Sequence, residues 1–422
     1  MTMSLTETST LGNLSWFDKV CRRFALNFIA RLQHGCIRVE EGQQSLIFGD
    51  SEAELQVTIH VHDAQFYRKI VTAGSVGGAE AYVANAWSCD HLTQLVRIFA
   101  RNLTLLDQMD STWARVSRPW LKLLNWRNSN NKDQARKNIS AHYDLGNDMY
   151  RLFLDQSMMY SSAVYSAEAR TLELAQQHKL ALLCQRLQLS ADDHLLEIGT
   201  GWGGMAIYAA RNYGCRVTTT TISQEQYDYA KEQVEAAGLQ DKITLLLEDY
   251  RDLTGQYDKL VSIEMIEAVG DDYLDRYFQV CSSLLKPDGI MVLQAITMVD
   301  QRYKQYVKEV DFIKRYIFPG GCLPSIHRMS EAITGKTDLV LRQLQDIGLD
   351  YATTLRDWCE RFLDQKEQVL QLGYDREFIR LWHYYLCYCE GGFLERATSA
   401  VHMVLTKPDF KGHLSLTDTL RN

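Results

Sequence analysis

The stretch Leu195-Leu196-Glu197-Ile198-Gly199-Thr200-Gly201-Trp202-Gly203-Gly204 decides how this chain is read. An apolar run that ends in an acid reads as a buried strand, and closely spaced glycines read as a tight turn. Met205-Ala206-Ile207-Tyr208-Ala209-Ala210 continues as a helix. Glycine lets a backbone approach a ligand where a Cβ would clash. The unpaired N–H groups at a helix start can receive a carboxylate or a phosphate. The spacing Gly199-x-Gly201-x-x-Gly204 also fits a dinucleotide fingerprint. That fingerprint expects an acid at the end of the next strand to hold a ribose. Here the next strand, Cys215–Thr221, ends in threonine, and the acid, Glu197, precedes the glycines.

Outward from this turn, strands and helices alternate. Residues 168–189 and Gln224–Ala237 carry helical periodicity, and Ile243–Leu247, Lys259–Glu264 and Ile290–Ala295 read as strands. Lys286-Pro287-Asp288-Gly289 is the turn before the last of these. The alternation predicts an α/β fold with a parallel, doubly wound sheet whose ligands bind outside the carboxyl ends of the strands. Residues 300–344 interrupt it. A helix is expected over Tyr306–Ile317, then a stiff loop, Phe318-Pro319-Gly320-Gly321-Cys322-Leu323-Pro324-Ser325. This insertion reads equally as a helical cap over an apolar substrate or as decoration packed on the sheet. Arg376–Arg396 is helical and Thr398–Thr406 a last strand.

Upstream, residues 1–124 read as a small α+β module for lipid presentation or dimer contact. Residues 1–13 are a polar, frayed end. Leu14–Leu32 is a helix with Trp16, Phe17, Val20, Phe24, Phe28 and Ile29 among Lys19, Arg22, Arg23 and Arg31. Such a helix either lies on an anionic membrane surface or docks on its own domain. Cys36–Glu40, Ser45–Phe48 and Leu55–His60 read as strands, and residues 64–110 as helical. The Asn-rich segment 125–138 reads as a linker, and 139–422 as the second domain.

The 422 residues suit two domains, and 46% apolar residues suffice for sizeable cores. A net charge of −8 is not built to grip nucleic acid. Ten cysteines without a CxxC pair predict reduced thiols in a cytoplasmic protein and no metal ligand set. No apolar run approaches the ~18 residues of a membrane span.

The turn at 197–204 resembles the first motif of class I S-adenosylmethionine methyltransferases. The wider chain resembles the cyclopropane-fatty-acid synthase family, including the mycolic acid methyltransferases. The resemblance rests on HYDLGND at 142–148, Tyr160-Ser161, EIGTGWGG at 197–204, TISQEQ at 221–226 and DYRDL at 249–253. It continues through EMIEAVG at 264–270, IFPGGCLPS at 317–325, DYATTL at 350–355 and YYLCYCEGGF at 384–393. It implies methylation of the cis double bond of a phospholipid acyl chain, with S-adenosylmethionine as donor. The product is a cyclopropane or a methyl-branched chain. The implied cofactor site takes Tyr143, Tyr160, Ser161, Glu197, Gly199, Gly201, Gly203, Thr221, Gln226, Asp249 and Tyr250.

The resemblance also implies a bicarbonate ion as base, held by Glu267, Tyr351 and the backbone of Ile296. Ser162 and Gln294 stand where the family has a cysteine and a histidine, so hydrogen bonding is kept but titration lost. Cys389 matches a family cysteine regarded as active-site, but its own residue type reads rather as a small buried apolar residue. The implied setting is a homodimer held peripherally on the inner face of the membrane, with no nucleic-acid partner. A methyltransferase of a small non-lipid substrate and a non-catalytic lipid- or S-adenosylmethionine-binding homologue are the competing readings.

Overall fold

The computed structural model describes residues 14–103 and 146–414. The expected linker, the domain start near 139, the frayed end and Tyr143 lie outside them. Contacts group the chain into two units that interleave along it. One comprises Met1–Arg127, Val310–Ile317 and Leu355–Ala397; the other comprises Asn128–Glu309, Phe318–Thr354 and Thr398–Asn422.

The first unit holds a four-stranded sheet of β1 (Cys36–Glu41), β2 (Gln44–Gly49), β3 (Gln56–Val61) and β4 (Trp87–Cys89), in the order β2-β1-β3-β4. β1 and β2 form an antiparallel hairpin turning at Gly42, whose φ of +59° suits glycine. Helix Trp16–Ile29 starts at the Ser15 side chain, which accepts from Asp18 N. It buries Cys21, Ala25, Leu26 and Ile29, so one face docks on its own unit. The opposite face leaves Trp16 79%, Phe17 48%, Val20 46% and Phe24 54% exposed, an aromatic stripe at helical spacing. Arg22 is not on that face: its guanidinium is buried, bonded to both oxygens of Glu41, which also accepts from Tyr67 Oη. The region 64–110 is not uniformly helical. Helix Gln65–Val83 is kinked at Ala73–Gly74, and β4 pairs with β3 before helix Leu92–Arg101. From late in the chain, helix Arg376–Leu394 completes this unit.

The second unit is built on β5 (His194–Ile198), β6 (Arg216–Thr220), β7 (Ile243–Leu246), β8 (Tyr257–Ile263), β9 (Leu285–Met298), β10 (Val340–Asp346) and β11 (Thr398–Thr406). Their order is β10-β11-β9-β8-β5-β6-β7. β5 through β9 are parallel, as the alternation predicts; β11 and β10 add on antiparallel, making the sheet mixed. Buried side chains fill both faces, Leu196, Leu260, Met291 and Leu293 toward one core and Leu195, Val217, Val261 and Val292 toward the other. The expected helix over Tyr306–Ile317 is corrected: the helix there is Asp300–Tyr306, and Ile313–Ile317 is a separate π turn grouped with the first unit. Among the described residues, no helix is long and apolar enough to cross a membrane.

Candidate active site

β5 leads to the glycine turn at the point where strand order reverses, since β8 flanks it on one side and β6 on the other. Ligands of doubly wound sheets bind in the crevice there. Gly199, Gly201 and Gly203 hold φ of +103°, +53° and +91°. Gly199 and Thr200 donate their N–H groups to Thr220 O, which pins the loop onto β6. A Cβ on Gly199 would lie 3.1 Å from Met265, whereas one on Gly201 would meet nothing within 4 Å. The loop therefore borders open space at Gly201, as a cradle for a close-approaching ligand requires. Helix Gly204–Tyr213 starts directly behind it.

The remaining expected cofactor residues surround this turn on their own elements. Glu197 is buried on β5 and accepts from Thr219 Oγ1 at 2.7 Å; desolvation pushes its carboxyl up to about 8. Thr221 Oγ1 donates to Gln226 Oε1 at 2.9 Å, so these two neutral groups lie together after β6. Arg251 donates to both oxygens of Asp249, at 2.8 and 2.7 Å. The Asp249 carboxylate is thus engaged by its own turn. Tyr250 is nearly buried and packs edge-on to Tyr277. Tyr160 packs against Tyr150, Phe153 and Phe318, and Ser161 Oγ accepts from Lys179 Nζ at 2.7 Å.

The expected base site comes together around a residue that the sequence reading passed over. Glu264 follows β8 with φ +49°, a conformation that favours glycine. Its Oε1 accepts from Ser162 N at 2.9 Å and Gln294 Nε2 at 2.7 Å, and its Oε2 from Tyr351 Oη at 2.8 Å. Ser162, Gln294 and Tyr351, which the resemblance assigns to a bicarbonate, thus converge on a carboxylate of the chain itself. Glu267 lies beside it. Its Oε1 accepts from Ile296 N at 2.5 Å, while its Oε2 is buried without a hydrogen-bond partner. Desolvation first, and the Glu264 charge second, push the Glu267 carboxyl up to about 8. Ser162 Oγ turns away to donate to Ala163 O. The donors expected to hold bicarbonate are therefore engaged by Glu264 and Glu267, and a carboxylate of the chain already occupies the place the anion would take. These residues do not fit a bound bicarbonate.

Behind this cluster lies a relay of buried polar groups. Gln294 Nε2 faces two acceptors, Glu264 Oε1 and Ser162 O, so its Oε1 must face His402. His402 Nε2 then donates to it at 2.8 Å, and Nδ1 accepts from Arg186. The ring is neutral: desolvation, then Arg186 and Lys179, hold its pKa well below the ordinary imidazole value. Lys179 is fully buried; burial lowers its amine to about 8 despite attraction from Glu264. Glu264, Lys179 and His402 were absent from the sequence-based set. Glu264 lies within the EMIEAVG motif, and an acid three residues before Glu267 was the available signal. Lys179 and His402 lie in an ordinary helix and strand, where nothing local marks them. Cys389 lies in the other unit, half-buried on helix Arg376–Leu394, its thiol raised by desolvation and by Asp311.

Comparison with known proteins gives a consistent set. The profile of the mycolic acid cyclopropane synthetase family matches residues 130–403. A tuberculostearic acid methyltransferase of Mycobacterium tuberculosis is 39% identical over 342 residues, 79% of each chain. A cyclopropane-fatty-acyl-phospholipid synthase of Escherichia coli K12 is 37% identical over 352 residues, 83% of this chain and 87% of its own. Among solved structures, the cyclopropane synthase MmaA2 of Mycobacterium tuberculosis is 30% identical and superposes with a TM-score of 0.60. It covers 64% of this chain and 98% of its own. The mycolic acid cyclopropane synthase CmaA1, solved with SAH and CTAB, is 29% identical with a TM-score of 0.61 and the same coverage.

Proposed function

This chain belongs to the mycolic acid cyclopropane synthetase family, and from that premise we propose that it methylates the cis double bond of unsaturated phospholipid acyl chains. S-adenosylmethionine supplies an electrophilic methyl group. The glycine turn, with open space at Gly201, suits the close approach of that donor, and Thr221 and Gln226 offer neutral hydrogen bonds to its ribose. Tyr160 and Phe318 line up as aromatic faces able to favour positive charge.

The observation that carries the reading is the buried carboxylate of Glu264 beside Glu267. An alkene is a weak nucleophile, and its attack on a methyl carbon leaves a carbocation on the chain. That cation needs a fixed anion nearby and then a base for one proton. Desolvation raises the Glu264 carboxyl, while hydrogen bonds from Ser162 N, Gln294 and Tyr351 and the Lys179 charge favour its ionised form; Glu267 beside it is raised as well, so the pair carries a proton between them at neutral pH. Glu264 therefore acts where the relatives' resemblance would place a diffusible ion. A proton lost from the added methyl closes a ring; one lost from a neighbouring chain carbon leaves a branched alkene. The exposed stripe Trp16, Phe17, Val20 and Phe24, with Lys19 and Arg23 beside it, suits a shallow seat in an anionic bilayer surface.

The test is direct. Purified protein is incubated with methyl-labelled S-adenosylmethionine and vesicles of monounsaturated phospholipid, and the released fatty acids are analysed by mass spectrometry after derivatisation. A labelled ring or branch at the double bond is expected. Label on no lipid, under conditions where the donor binds, would sink the proposal.

A further inference from the structure

Away from the reaction site, the first unit gathers three soft or borderline ligands. Helix Gly348–Asp364 carries Cys359, and helix Arg376–Leu394 carries His383 and Cys387 one turn apart. The two sulfurs are 4.0 Å apart, and with a ring nitrogen of His383 the donor atoms all lie within 4.8 Å of one another. Both thiols are nearly buried, Cys359 at 7% and Cys387 at 5% exposure, with His383 half-buried. Tyr82 Oη stands 2.8 Å from His383 Nδ1 and fixes the ring plane.

We propose that Cys359, His383 and Cys387 form a binding site for a thiophilic divalent cation, zinc foremost. Around a tetrahedral zinc with bonds of about 2.3 Å to sulfur, two thiolates stand about 3.8 Å apart. The observed pair needs almost no movement to reach that spacing. A disulfide would require the sulfurs to close to about 2.05 Å. Two thiols and an imidazole select zinc over magnesium or calcium, which take oxygen. The i, i+4 placement of His383 and Cys387 aims both at one point from a single helix face. On binding, the two thiols give up their protons, up to two per ion, and each sulfur lone pair forms one metal–sulfur bond. Three protein ligands leave one position of the tetrahedron for water or a small ligand. The site ties together two helices of this unit, and it departs from the expectation, drawn from scattered cysteines, of no metal ligand set.

Full-length protein, purified under reductant and stripped with a chelator, is titrated with Co²⁺ and followed by absorbance. One equivalent per chain is expected, with a thiolate-to-cobalt charge-transfer band and tetrahedral ligand-field bands, both displaced by Zn²⁺. Cys387→Ser and His383→Ala each remove a ligand and should weaken binding by more than the roughly tenfold to hundredfold that losing a ligand's hydrogen-bond partner costs. The double variant Cys359→Ser/Cys387→Ser should lose the band, and Cys215→Ala, in the core of the other unit, should keep it. A reduced wild-type protein with no thiolate–cobalt band overturns the proposal without reliance on any variant. So does a double variant that is folded by circular dichroism and retains the band. Recovery of a Cys359–Cys387 disulfide from protein that takes up no metal after reduction would make the pair a redox couple instead.

Discussion

At the scale of single residues, the site turns on where protons sit among buried acids. Glu197 and Glu267 are both pushed up to about 8, the first by desolvation, the second by desolvation and the Glu264 charge. A carboxyl raised in the folded state contributes stability that is full below its unfolded value, about 4.3, and is lost as pH rises through 8. The wild-type melting temperature should therefore fall between pH 5 and pH 8.5. Glu197→Gln keeps a hydrogen-bonding group for Thr219 but removes the ionisation, so its melting curve should be flatter over that range. An equal slope in wild type and variant would show that Glu197 ionises without cost. Glu264→Gln keeps the side-chain shape but not the charge. It should lower methyl transfer by about a hundredfold or more, with little change in donor affinity by calorimetry. An active Glu264→Gln enzyme would remove Glu264 from the reaction. Part of this was legible beforehand: the glycine turn, Glu267, Tyr351 and Ile296 could be named from motifs. Glu264 could not be assigned, because its three donors come from Ser162, Gln294 and Tyr351, each on a different element. Only the fold reveals that they meet.

At the scale of elements, the turn after β5 and the helix at the start of the chain carry separable predictions. Gly201→Ala places a methyl in open space at φ +53°, which costs about 1–2 kcal/mol for the left-handed conformation alone. Gly199→Ala adds a contact of 3.1 Å with Met265 at φ +103°, and should be the more destabilising of the two by chemical denaturation. The reverse order would mean that the loop relaxes around Met265. On helix Trp16–Ile29, Trp16→Ser with Phe24→Ser should cut sedimentation with anionic vesicles several-fold while leaving the melting temperature unchanged, since both side chains face outward. Unchanged vesicle binding would place the membrane contact elsewhere. Periodicity found this helix within three residues and most strands of the large sheet within a residue or two. It missed β10, whose exposed, weakly alternating edge gives no buried face to read. It also placed a helix over 306–317, where the α-helix is Asp300–Tyr306 and only the π turn Ile313–Ile317 follows.

At the scale of the whole molecule, the chain leaves one unit and returns to it. Helix Arg376–Leu394 belongs with the elements of the first hundred residues: Arg380 donates to Tyr82 O and Trp87 O, and Arg97 and Arg101 pair with Glu395 just past the helix end. Reading along the sequence cannot see such a return, because each segment taken alone is an ordinary amphipathic helix. A chain shortened to 139–422 should consequently be insoluble or molten, since this helix loses the partners of its buried face. A soluble fragment with a wild-type melting transition would show that 139–422 is self-sufficient. The central claim, that a carboxylate of the chain replaces a diffusible base, is tested most directly by the rate of methyl transfer to phospholipid vesicles in carbonate-free buffer, with and without added bicarbonate. Wild type should be indifferent to bicarbonate, and Glu264→Gly, which frees Ser162 N, Gln294 and Tyr351, should lose activity that bicarbonate restores in part. A wild-type rate that rises with bicarbonate, together with an unaffected Glu264→Gly rate, would contradict the account.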